Sequence, residues 1–152
     1  QCIHERVRCL TGWLLAELAG MRHGNGAPVV RIYGPAGTER RGGTVTLNFY
    51  DANGHFIDHP VIERRAGEHR ISLRTGCFCN PGAGELALGL SKGELFHCMR
   101  EVGDDVAHIT YEDFRRCIDD KSTGAVRISF GWASTFADAE AFLAFAREMR
   151  EP

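Results

Sequence analysis

The sequence predicts an α+β domain: a mostly antiparallel sheet with the long helices covering one face. Three observations carry that expectation. The chain opens and closes on apolar stripes of helical spacing, Ile3, Val7, Leu10, Leu14, Leu18 and Met21 at one end and Phe136, Ala139, Phe142, Leu143, Ala146 and Met149 at the other. Between them, residues 44–50, 70–74 and 125–130 alternate apolar with polar, the period of half-buried strands. Polar, glycine-rich turns separate these stretches.

The elements follow in order. The first stripe marks an amphipathic helix of about five turns, stopped by Gly24-Asn25-Gly26. Residues 29–33 form a short apolar strand, and Gly34-Pro35-Ala36-Gly37 turns the chain. Val45, Leu47 and Phe49 share one face of the next strand, which ends at the Asp51-Ala52-Asn53-Gly54 turn. Residues 55–68 fit either a short helix or a loop. Residues 70–74 alternate again, with Ile71 and Leu73 inward. Residues 83–90, 93–101 and 111–118 are each short helices, and 119–124 is a loop. The last strand, 125–130, turns Val126, Ile128 and Phe130 inward and Arg127 and Ser129 outward. Thr135 with Asp138 three residues on is the signature of an N-cap for the final helix.

At 152 residues the chain fits one domain with a core of its own. Its 43% hydrophobic and 25% charged content is that of a folded soluble chain, not a disordered one. No apolar run reaches the roughly 18 residues that span a bilayer. The net charge of -2 gives no clustered basic footprint for nucleic acid. The basic residues are 16 Arg and 2 Lys, Lys92 and Lys121. Six cysteines are present, Cys2, Cys9, Cys77, Cys79, Cys98 and Cys117. The N-terminus has no basic segment followed by an apolar one, so reduced thiols in a cytoplasmic protein are expected. The chain starts without Met inside a helical pattern, and a piece of a longer polypeptide is the expectation.

The segment richest in chemistry is Arg74-Thr75-Gly76-Cys77-Phe78-Cys79-Asn80-Pro81-Gly82, which leaves a strand and enters a corner. A thiol there is accessible, and a neighbouring Arg favours its nucleophilic thiolate. The competing reading makes both cysteines small apolar fillers beside Phe78. Arg127, on the polar face of the last strand, suits a two-bond clamp on a carboxylate or a loose surface ion pair. Cys77, Cys79, His97, Cys98 and Cys117 offer enough ligands for zinc, but only one close pair, against the two that structural sites show. The Gly-rich turns lack the Lys-Ser/Thr of a phosphate loop.

Ser72 to Gly82 resembles the cysteine loop of the class V aminotransferase family, with its strongest likeness to the desulfurase domain of molybdenum cofactor sulfurases. Gly124-Ala125-Val126-Arg127-Ile128-Ser129-Phe130-Gly131, then Ser134-Thr135-Phe136, is similar to the same family's last strand and helix start. Residues 85–123 have the length and the helical, acidic character of an insertion in that subgroup, between the cysteine loop and the last strand.

The resemblance implies that residues 1–152 are the small C-terminal domain of a pyridoxal-phosphate enzyme of cysteine desulfurase type. It places the sulfur-accepting thiolate, which takes sulfur from L-cysteine as a persulfide, at Cys79, with Cys77 as secondary candidate. Arg127 matches the residue that holds the substrate carboxylate, and Arg74 opens the loop motif as a further substrate-binding candidate. Neither Lys92 nor Lys121 lies in the family's lysine motif. Pyridoxal phosphate is therefore expected on a large domain or subunit outside this chain, which alone should be inactive. The complete enzyme is expected to be a homodimer with an unidentified sulfur acceptor and no nucleic-acid or membrane partner. Two alternatives stand beside this reading: a class V aminotransferase or lyase domain with other chemistry, and a non-enzymatic sulfur-carrier or interaction module.

Overall fold

A computed structural model of the chain describes residues 1–77, 81–91, 93, 96, 97, 100, 110, 113, 116–118 and 121–152. Among them the order is α1 (Cys2–Gly20), β1 (Val30–Tyr33), β2 (Thr44–Tyr50), β3 (Phe56–Ile57), α2 (His59–Glu68), β4 (Arg74–Gly76), α3 (Pro81–Leu88), β5 (Ala125–Ser129) and α4 (Phe136–Arg147). The chain divides into two compact units, Gln1–Thr75 with Ala125–Pro152, and Gly76–Gly124. No described helix is long and apolar enough to cross a membrane.

The first unit is built on the sheet. Its strand order is β1-β2-β5-β4, with β3 pairing the far end of β2. β1 and β5 both run antiparallel to β2, in the registers Tyr33↔Thr46 and Thr46↔Arg127. The expected alternation holds. Val45, Leu47, Phe49, Val126 and Ile128 face the helices and enter one core with Leu14, Leu18, Ile62, Ala66, Phe142 and Phe145. Phe49 meets Phe142 and Phe145 with ring centroids 6.4 and 6.1 Å apart, tilted and edge-on, arrangements that favour aromatic quadrupoles. α1, α2 and α4 thus lie on one side of the sheet, as the sequence predicts.

The α1 stripe buries Leu10, Leu14, Leu15 and Leu18. The helix ends at Gly20, and Met21 leaves in an extended conformation while staying in the core. Gly26 supplies the positive φ of the following turn, +85°. The ambiguous stretch 55–68 resolves into β3 and α2, whose Asp58 N-cap and early proline suit a helix start. α4 carries the expected capping box: the Thr135 side chain accepts from Asp138 N–H, and the Asp138 carboxylate accepts from Thr135 N–H at 2.7 Å. At Gly43 a Cβ would stand 2.6 Å from the Phe130 carbonyl oxygen, and that strand end admits only glycine without movement.

The strand expected over 70–74 lies later, at Arg74–Gly76. Residues 70 and 71 are consumed by the exit from α2: Arg70 takes φ +59° and Ile71 N–H bonds the Ala66 carbonyl. Ile71 and Leu73 nevertheless pack against the core, so the inward pattern holds without strand pairing.

In the second unit α3 begins two residues before the expected helix, at Pro81. Leu90 N–H bonds Glu85 O, Lys121 Nζ donates to Gly89 O at 3.0 Å, and Ile118 is fully buried. The helices expected over 93–101 and 111–118 fall mostly outside the described residues.

Candidate functional site

Arg127 stands at the middle of β5 between the inward Val126 and Ile128, so the pleat turns its side chain to the face away from the helices, where it is exposed. Thr46 is its cross-strand partner, and next along the strands the Thr44 and Ser129 hydroxyls meet at 3.2 Å. Arg127 forms no ion pair among the described residues. Its five donors stay available for a planar oxyanion.

Arg74 opens β4, the strand that follows β5 in the sheet order. The Thr75 hydroxyl donates to Glu63 of α2 at 2.6 Å, which turns Thr75 toward the helix layer. Alternation then turns the exposed Arg74 to the same outer face as Arg127. Gly76 ends β4 at φ +120°, a conformation that suits glycine alone.

The next residue, Cys77, is an exposed free thiol of the second unit. Cys79 lies outside the described residues. Cys2 and Cys9 are also free and exposed. Cys117 is disulfide-bonded, which corrects the expectation of reduced thiols throughout. That expectation rested on compartment, which says nothing of which sulfurs a fold brings into reach. For zinc, no group of three or more metal-ligating side chains occurs among the described residues, and Cys79 and Cys98 of the candidate set lie outside them.

Sequence reasoning missed the rest of the outer face. Asn48 lies on it, fully buried, and its amide donates to the Tyr33 hydroxyl at 3.2 Å. Burial, and then a hydrogen bond with Tyr50, push the Tyr33 phenol above its ordinary range. The Arg31 guanidinium sits over the Tyr33 ring, 5.5 Å from its centroid, a cation–π contact. The alternation of β2 held the signal for Asn48 and Tyr50, but only the register Arg31↔Asn48 joins them to β1.

Among the described residues nothing supplies the lysine that pyridoxal phosphate requires. A Schiff base needs a reactive lysine, whereas the Lys121 ammonium is engaged by the Gly89 carbonyl and Lys92 lies outside the described residues.

No family model matches the chain. A molybdenum cofactor sulfurase of Arabidopsis thaliana is 41% identical over 140 residues, 90% of this chain and 16% of the relative. Those of Bos taurus and Homo sapiens are each 36% identical, over 95% and 97% of this chain and 16% of the relatives. The chain thus spans about one sixth of the length of these proteins. Among solved structures, a cysteine desulfurase from Thermococcus onnurineus matches with TM-score 0.57 at 16% identity, covering 97% of this chain and 26% of that one. A NifS-like protein from Rickettsia africae gives 0.56 at 15% identity, covering 98% and 29%. These two establish likeness of fold, that of a small domain carried by a longer chain. Over 90–97% of its length the chain is a homologue of one segment of the molybdenum cofactor sulfurases, and its fold is like that of part of a cysteine desulfurase.

Proposed function

We propose that the chain is the C-terminal part of a pyridoxal-phosphate-dependent cysteine desulfurase or molybdenum cofactor sulfurase, with residues 85–123 as an insertion. Cys79 is its sulfur acceptor and Arg127 its carboxylate clamp. The observation that carries the reading is Arg127 itself: exposed, without an ion pair among the described residues, and centred on a polar sheet face. The likeness of the whole chain to sulfurases supports it.

In this reading Arg127 fixes the carboxylate of L-cysteine through two parallel N–H···O bonds, and Arg74 adds positive charge nearby. The Cys79 thiolate attacks the substrate sulfur. An S–S bond forms, the substrate C–S bond breaks, and its electron pair stays with the carbon, which takes a proton to leave alanine. The persulfide keeps the proton of the substrate thiol. Pyridoxal phosphate and its lysine belong to another part of the polypeptide or to another chain, so the isolated 152 residues are inactive toward cysteine.

The test uses the complete polypeptide with its cofactor. Cys79→Ala is expected to abolish the persulfide detected by intact mass after L-cysteine is added, with cofactor absorbance unchanged. Arg127→Gln is expected to raise KM for cysteine. Sulfur transfer at full rate by Cys79→Ala overturns the Cys79 assignment and moves it to Cys77, whereas no sulfur transfer by the unsubstituted enzyme leaves aminotransferase or lyase chemistry as the better reading.

A further inference from the structure

The outer face of the sheet carries more than one clamp. Arg31 on β1, Arg127 on β5 and Arg74 on β4 all turn to it, and none is ion-paired among the described residues. No described strand residue on that face is acidic, in a chain whose net charge is -2. The face is therefore a concentration of positive charge with nothing in the strands to neutralise it.

Arg31 is held in place more firmly than an ordinary surface arginine. Its guanidinium rests on the Tyr33 ring, and the ring is fixed from below by the fully buried Asn48. Tyr33 keeps its proton, because burial and the Tyr50 contact both oppose ionisation, so it adds no negative charge beneath the guanidinium. A cation preorganised in this way loses little further freedom when a ligand binds.

We propose that this face binds a small anionic ligand at two points, one oxyanion at Arg127 and a second at Arg31. The proposal rests on Arg127 being a carboxylate site, as above. Arg31 pairs with Asn48, and Arg127 with Thr46 two residues away on the same strand. Two strand spacings and two residue rises separate the two Cα atoms by about 12 Å. Two extended arginine side chains together reach across that gap, so both guanidinia can engage one ligand, and a dianion with an oxyanion at each end fits the pair better than a monoanion.

Titration of the isotope-labelled 152-residue chain by NMR tests this, with octanoate, suberate and inorganic phosphate as probes. Suberate, with a carboxylate at each end, is expected to bind about five- to tenfold more tightly than octanoate. Arg31→Gln is expected to erase that preference and Arg31→Lys to restore part of it. Competition by inorganic phosphate that reduces suberate to the affinity of octanoate identifies the second subsite as one that takes phosphate; resistance to it identifies a carboxylate subsite. Equal affinity for suberate and octanoate, or a preference that survives Arg31→Gln, overturns the proposal. Octanoate binding unchanged in Arg127→Gln refutes the carboxylate reading of Arg127 instead, and so separates the two failures.

Discussion

Replacing His23 isolates one buried polar clasp. The ring is 3% exposed. Glu151 N–H donates to its Nδ1 at 3.0 Å, so Nδ1 carries the lone pair and the ring proton is assigned to Nε2. Nε2 then donates to the Tyr50 carbonyl at 3.0 Å. The ring thereby joins the end of β2 to the segment after α4. His23→Ala deletes two hydrogen bonds, strands two partners and leaves a small void, together about 2–4 kcal/mol. For a chain of this size that lowers Tm by about 5–12 °C. His23→Asn keeps an acceptor for Glu151, and His23→Gln keeps a donor for Tyr50, so each is expected to recover part of the loss. Urea unfolding of the four proteins, at a common m value, reads the differences. A His23→Ala cost below about 0.5 kcal/mol, the range of ordinary surface substitutions, refutes the reasoning, as do Asn and Gln variants no better than Ala.

Other changes follow from the same geometry. Thr135→Ala removes the N-cap of α4 and is expected to cost about 1 kcal/mol in urea unfolding. Asp138, its capping partner, has a carboxyl held below its ordinary 3.8 by the Thr135 N–H and then the Thr135 hydroxyl. A lowered folded-state value means that its contribution is complete above that ordinary value and is lost as pH falls through the folded one. Asp138→Asn should therefore cost most at neutral pH and least at low pH, which flattens part of the acid limb of the stability curve. Gly43→Ala drives a Cβ to 2.6 Å from both the Phe130 oxygen and Val7 Cγ1, with an expected loss of about 1–3 kcal/mol in thermal unfolding. Cys77→Ser is expected to remove one rapidly labelled thiol under native conditions, because Cys77 is exposed and free; an unchanged labelling count contradicts that exposure.

Periodicity made the core legible in the sequence. Val45, Leu47 and Phe49, or Val126 and Ile128, have to share a face whatever they pair with. Where local and tertiary demands compete, it said less. Residues 59–68 are polar enough to pass for a loop, and become a helix because Ile62 and Ala66 have a core to enter. β4 lies later than expected because the exit from α2 claims Arg70 and Ile71. In the candidate site, Arg127 and Arg74 were legible from a motif. Arg31 was not, since its place beside Asn48 exists only once β1 and β2 are in register. Cys79, the residue on which the motif centres, lies outside the described residues.

The position of β5 between β2 and β4 has a kinetic consequence. A strand that completes the sheet only when Leu47 finds Val126 gives the fold a high contact order, the regime of slow folding. During synthesis the β1–β2 hairpin emerges long before its neighbour and before α4, and its apolar face waits uncovered. Doubling the length of the intervening stretch adds only about 0.6 kcal/mol of closure entropy, so what can be inserted there is set less by stability than by how long an unfinished sheet escapes aggregation.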